Sequence, residues 1–205
     1  DRQVRDEWRP LWGKRAVVED HFNESVIDLQ NPAGQPKRMQ LVVRGYNDGF
    51  AFCYKIPEGE GERVDVQSEL TAYNFAGDYT AWFYNGENHN IGPEKLTETD
   101  GTRLPVMTVK AGDKHYMAIH EACLETGAPL VLQSKGGESL FSVASKPACL
   151  SPGYTSAWRV VLHGATPGAL TDSHLLELLN PDPDPRYDFS WVKPGLAVWD
   201  WRING

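Results

Sequence analysis

Between two runs of alternating apolar residues lies the tetrapeptide Tyr46-Asn47-Asp48-Gly49. Asn, Asp and Gly enter left-handed turn geometry at low steric cost, so this spacing predicts a tight β-hairpin. The flanking runs agree with it. Residues 39–44 make one candidate strand, and in the next Phe50, Phe52, Tyr54 and Ile56 fall at every second position, on one face. A second turn over 57–61 leads into a run at 63–67, and short runs recur at 106–109, 116–120, 130–132, 140–143 and 158–162. Repeated short strands divided by turns point away from a βαβ arrangement and predict an all-β sandwich or barrel.

Helix is scarce. Residues 167–172 suit one or two turns, and residues 175–179 either extend them or form another strand. The stretch Asn180-Pro181-Asp182-Pro183-Asp184-Pro185 excludes regular structure, because each proline removes a donor and restricts its predecessor. It reads as a semi-rigid connector, with a boundary near 182–190. Beyond it, Lys193-Pro194-Gly195 is turn chemistry, and Leu196-Ala197-Val198-Trp199 is an apolar run suited to a strand covered on both faces. The chain therefore divides into a β-sandwich domain over 1–189 and a linker with the start of a second domain over 190–205. The expected partners of that last strand belong to a domain that is missing or supplied by another chain.

At 205 residues, with 40% hydrophobic and 23% charged residues, the chain is globular in composition. Its formal net charge of −8 argues against a nucleic-acid partner, which needs a basic face. The three cysteines, Cys53, Cys123 and Cys149, form no CxxC pair, which disfavours a zinc ribbon. No apolar stretch reaches transmembrane length, so no membrane partner is expected. The N-terminus, Asp1-Arg2-Gln3, carries no signal peptide and does not begin with Met. It reads as a trimmed or mature terminus, which leaves export open.

Two segments bear on chemistry. Residues 79–90 (YTAWFYNGENHN) are rich in aromatics and amides, as a carbohydrate-facing loop would be; a plain strand at 80–84 running into a Gly86 turn explains them as well. In His115-Tyr116-Met117-Ala118-Ile119-His120-Glu121-Ala122, a strand would place Met117, Ile119 and Glu121 on one face and Tyr116, Ala118 and His120 on the other. A carboxylate closing an apolar face needs a partner: a cation, an arginine or a hydroxyl. From the residues alone a structural salt bridge is preferred. Zinc is disfavoured because adjacent strand residues point opposite ways, and calcium wants six or more oxygens where one glutamate offers at most two. Gly-x-Ser-x-Gly and phosphate-cradling glycine loops are absent, so no complete active site is evident.

Several segments, in order along nearly the whole chain, resemble glycoside hydrolase family 97, the bacterial α-glucosidases and α-galactosidases. They are Leu11-Trp12-Gly13-Lys14-Arg15 with Phe22-Asn23-Glu24, Asp48-Gly49-Phe50-Ala51-Phe52, and Gly77-Asp78-Tyr79-Thr80-Ala81-Trp82. Ile119-His120-Glu121-Ala122, Ser156-Ala157-Trp158-Arg159, Ser190-Trp191-Val192-Lys193-Pro194-Gly195 and Trp199-Asp200-Trp201 complete the set. The resemblance implies part of an N-terminal β-super-sandwich, without its opening strands, ending on the first strand of a (β/α)₈ barrel at 197–201. It implies calcium as cofactor, with Glu121 as the ligand this domain contributes, which reverses the salt-bridge preference on that ground alone. It also implies an α-linked oligosaccharide substrate, Asp200 and Trp201 as substrate-binding residues, and catalytic carboxylates on the barrel rather than in this chain. The Pro194-Gly195 and Trp199-Asp200-Trp201 pieces look closer to the retaining type. The competing expectation is a non-catalytic carbohydrate-binding β-sandwich module.

Overall fold

The structure, a computed structural model, describes residues 1–34, 36–59, 63–86, 90–125 and 127–197. In chain order the strands are β1 (Arg2–Trp8), β2 (Val18–Gln30), β3 (Arg38–Tyr46), β4 (Gly49–Lys55), β5 (Val64–Val66), β6 (Ala72–Asn74), β7 (Thr80–Tyr84) and β8 (Asn90–Lys95). After a 3₁₀ turn at Leu96–Glu98 come β9 (Asp100–Gly112), β10 (His115–Ala122), β11 (Leu132–Lys135), β12 (Leu140–Val143), β13 (Ala148–Leu150) and β14 (Trp158–Gly164). Two short helices follow, α1 (Pro167–Asp172) and α2 (Leu175–Leu178).

The predicted hairpin is β3–β4: Tyr46 pairs with Gly49, leaving Asn47 and Asp48 as its two-residue turn. Gly49 has a second reason to be glycine. A Cβ there would lie 2.3 Å from the Val161 carbonyl oxygen of β14, too close for any side chain. The main layer runs β1-β2-β3-β4-β14-β10-β9, with β7 on the far side of β9 and β8 beyond it. The second layer, β11-β12-β6, also grows from β9. Pro105 marks the change of partner. It has no amide to donate, and the ladder to β10 begins at Met107 while the ladder to β11 ends at Arg103. One long strand thus serves both layers of an all-β sandwich.

Two cores follow from the alternation. On one face of the main layer Val42, Ala51, Cys53, Ala118, Ala122, Trp158, Val160 and Leu162 are covered by Leu175 and Leu179, with Leu170 and Leu176 packed alongside. Thr166 caps α1 by accepting a hydrogen bond from the Ala169 amide, and Pro167 supplies the preset first turn. On the other face Ala81, Phe83, Met107, Val109 and Ile119 meet Leu130, Leu132, Phe141 and Val143 of the second layer. The 3₁₀ turn adds Leu96 to that core.

The helix expected at 167–172 is α1, and 175–179 resolves to a short helix rather than a strand. In β4 the aromatic set does share a face, yet the deep core takes the small residues opposite. Ala51 and Cys53 are fully buried in the cluster that holds Val42, Trp158 and Val160, while Phe50 stays 45% exposed. Burial also pushes the Cys53 thiol up to about 11. Pro194 to Ala197 carry no strand, and Leu196 is exposed. The remainder of the expected barrel strand, with Asp200 and Trp201, lies outside the described residues.

Candidate functional site

Glu121 is the next-to-last residue of β10, and in the register of β10 with β14 its partner is Arg159. Directly opposed residues of an antiparallel pair share a face, so a glutamate and an arginine meet there by backbone geometry alone. Arg159 Nη1 lies 3.5 Å from Glu121 Oε2. The same guanidinium makes a tighter contact with Glu69, in the segment between β5 and β6: Nε donates to Oε1 at 3.0 Å and Nη2 to Oε2 at 2.6 Å. The side chains of Arg159, Glu121 and Glu69 are 2%, 8% and 18% exposed. Burial alone would push the Arg159 guanidinium below its ordinary range, but the hydrogen bonds and charge of Glu69 outweigh it and raise it further.

A loop closes over the cluster. The Leu130 amide donates to Glu121 Oε2, and Arg159 Nη1 donates to the Ala128 carbonyl at 3.4 Å. The loop approaches so closely that a Cβ on Gly127 would fall 2.3 Å from the Ala157 amide. Glu69 is set separately, its own amide donating to Ser145 Oγ at 2.6 Å. The salt bridge preferred from the residues alone is therefore present. Both contacts to Glu121 fall on Oε2, so its donor set toward a cation is one carboxylate oxygen pair, half of it engaged. Among the described residues no group of three or more His, Cys, Asp or Glu side chains is placed to hold a metal ion. A carboxylate is the hard oxygen donor that calcium takes, and Glu121 by itself offers at most two of the six or more oxygens such an ion needs.

A second ionic cluster serves the sheet edge. Glu24 of β2 accepts from Arg2 at 2.7 Å and from Arg44 at 2.8 Å, while Arg44 stacks over the rings of Phe22 and Trp158. Burial pushes the Glu24 carboxyl up, yet the two guanidiniums prevail and hold it below the usual carboxylate range. Phe22, Glu24 and Trp158, all within resembling segments, thus have a structural task.

The aromatic segment at 79–90 divides in the manner of a strand. Ala81 and Phe83 are buried, whereas Trp82 and Tyr84 are each 37% exposed beside Thr108 and His120 on the opposite face from Glu121. His120 points away from the ionic cluster, its Nδ1 accepting from the Glu121 amide at 2.7 Å. Sequence reasoning missed Glu69 and Arg159 as partners of Glu121. Arg159 stands in a motif quoted for the resemblance, but nothing local marks it as the cross-strand neighbour.

Fold and cluster together define a two-layer antiparallel β-sandwich domain with one buried carboxylate held at the end of a central strand. The glycosyl-hydrolase 97 N-terminal family model matches residues 1–181, and the chain belongs to that family. It is 28% identical over its full length to a probable retaining alpha-galactosidase of Streptomyces bingchenggensis, and 26% identical over 98% of its length to a retaining alpha-galactosidase of Bacteroides thetaiotaomicron. It spans 32% and 35% of those proteins, about a third of their length. In structure it is similar to a glycoside hydrolase family 97 enzyme of Pseudoalteromonas sp. strain K8 in complex with acarbose. The TM-score is 0.80 at 25% identity, over 95% of this chain and 31% of that one. A beta-arabinopyranosidase shares the fold, with TM-score 0.68 at 16% identity over 80% of this chain and 30% of that one.

Proposed function

We propose that this chain is the N-terminal sandwich of a calcium-dependent, retaining α-glycoside hydrolase acting on α-galactosides or α-glucosides, and that it lends Glu121 to a calcium site shared with a (β/α)₈ barrel. The observation that carries the reading is the placement of Glu121: a carboxylate fixed at a strand end by Arg159 and the Leu130 amide, with both contacts on a single oxygen. That leaves Oε1 as the atom to face a cation. Calcium at such a site supplies Lewis-acid and templating chemistry near the scissile bond. The task of this chain's residues is orientation: the β10–β14 register sets where Glu121 stands, and the pinned 128–130 segment keeps its carboxylate from rotating. Bond cleavage by double displacement is assigned to two barrel carboxylates, and the linker over 190–205 to joining the two domains. A periplasmic or secreted location belongs to the same proposal.

The names of the relatives support retention and α-galactoside chemistry, and the acarbose complex of the Pseudoalteromonas enzyme supports an α-glucoside-like ligand. The test uses the polypeptide carrying this domain with its barrel. Nitrophenyl α-galactoside or α-glucoside hydrolysis is expected, lost on chelation and restored by calcium. Glu121→Gln is expected to weaken calcium at least about tenfold, since charge count at the ligands tunes affinity. Turnover indifferent to both chelator and the substitution sinks the proposal.

One observation favours a second reading, a carbohydrate-binding module. Trp82 and Tyr84 present half-exposed rings two residues apart on one strand face, a surface able to stack on sugar C–H groups. Calorimetry of the 205-residue chain with maltooligosaccharides and galactosides separates the two. Saturable binding lost in Trp82→Ala establishes the module, and no heat returns the domain to support of a barrel.

A further inference from the structure

We infer that Glu69 masks the charge of Arg159, and that this mask sets how strongly Glu121 holds a cation; the inference rests on the proposed role of Glu121. Distances decide the order of the contacts. Arg159 grips Glu69 with two nitrogens at 3.0 and 2.6 Å, a fork that satisfies both carboxylate oxygens. Its third nitrogen reaches Glu121 Oε2 only at 3.5 Å, the outer limit of a hydrogen bond. Arg159 is therefore neutralised mainly by Glu69 and orients Glu121 without saturating it.

The sign of the effect follows. An uncompensated guanidinium beside Glu121 would compete for the carboxylate and repel a second cation, and burial leaves little solvent to screen that repulsion. With Glu69 charged, the pair presents almost no net charge to Glu121. Glu69 is also anchored independently, through its amide to Ser145 Oγ, so its position does not depend on Glu121 or on any ion. A residue that never touches the metal thereby governs its affinity. Glu69 and Arg159 are positioning residues in this scheme.

The experiment measures calcium affinity by calorimetry on the polypeptide carrying the domain with its barrel, alongside melting curves. Glu69→Gln is expected to weaken calcium about tenfold, by exposing the Arg159 charge at short range. The double variant Glu69→Gln/Arg159→Met is expected to recover part of that loss, because the unmasked charge is gone while the Leu130 amide still holds Glu121. A merely structural role predicts no recovery, so affinity that stays low in the double variant overturns the inference. Unchanged affinity in Glu69→Gln overturns it equally. Should Glu69→Gln melt without cooperativity, Glu69→Asp keeps the charge but withdraws it by one methylene. It is expected to weaken calcium about threefold, and full affinity there refutes the mask. Glu121→Gln separates the two readings. If it leaves calcium affinity intact, the proposed role of Glu121 fails; if it alone weakens calcium, only the mask fails.

Discussion

Arg159→Met is expected to destabilise the domain by about 3–5 kcal/mol, the range for removing one partner from a buried ion pair. Methionine nearly matches the length of the arginine stem, so the volume is filled and the loss is electrostatic. Glu69 and Glu121, 18% and 8% exposed, would be left facing each other's charge with no cation between them. The Ala128 carbonyl would lose its donor as well, and the 128–130 segment would keep only the Leu130 amide contact to Glu121. Arg159→Lys is the informative control. A single ammonium retains charge but cannot grip both oxygens of Glu69 while reaching Glu121, so roughly half the loss is expected. Urea unfolding followed by tryptophan fluorescence measures both. A midpoint for Arg159→Met within error of wild type would show that the cluster contributes no net stability.

That prediction rests on a relation no local pattern contains. Turn chemistry is local, so the β3–β4 hairpin was legible from Asn47-Asp48-Gly49, and so was α1 from its proline. β7 and β12 match their predicted spans for the same reason: short alternating runs between turn residues. β1 and β2 went unread because their logic is ionic. Glu24 occupies a buried position in β2 that alternation reserves for an apolar residue, and it does so only because Arg2 and Arg44 converge on it from β1 and β3. In β4 the alternation was visible but not which side faces the deeper core; that depends on the neighbouring strands, whose Val42, Trp158 and Val160 gather on the side of Ala51 and Cys53. The site shows the same division. That Glu121 needed a partner was evident from an apolar strand ending in a carboxylate. That the partner is Arg159, 38 residues on, depends on the register of two strands brought together by the whole sheet. Glu69, 90 residues from Arg159, arrives on a third segment and is less visible still.

The second large effect lies where the two layers meet. Phe141 of β12 is fully buried, and its ring contacts Phe83 of β7 at 5.7 Å and Phe75 at 6.3 Å, the latter edge-on at 85°. Phe83 belongs to the main layer and Phe141 to the second, so the pair spans the sandwich interior. Phe141→Ala is expected to cost about 3–5 kcal/mol, from lost apolar burial plus the cavity that a sheet-on-sheet interface cannot collapse to fill. Phe141→Leu restores much of the volume without the ring contacts and is expected to lose less, about 1–2 kcal/mol. Phe50→Ala calibrates the scale: the same truncation at a side chain 45% exposed is expected to cost under about 1 kcal/mol. Among the described residues the second layer joins the first through β9 alone in the backbone ladder, so it depends on this core to stay docked. Hydrogen exchange is therefore expected to quicken first in β11, β12 and β6 of Phe141→Ala while β3, β4 and β14 stay protected. Uniform loss of protection would mean that the two layers unfold as a single unit.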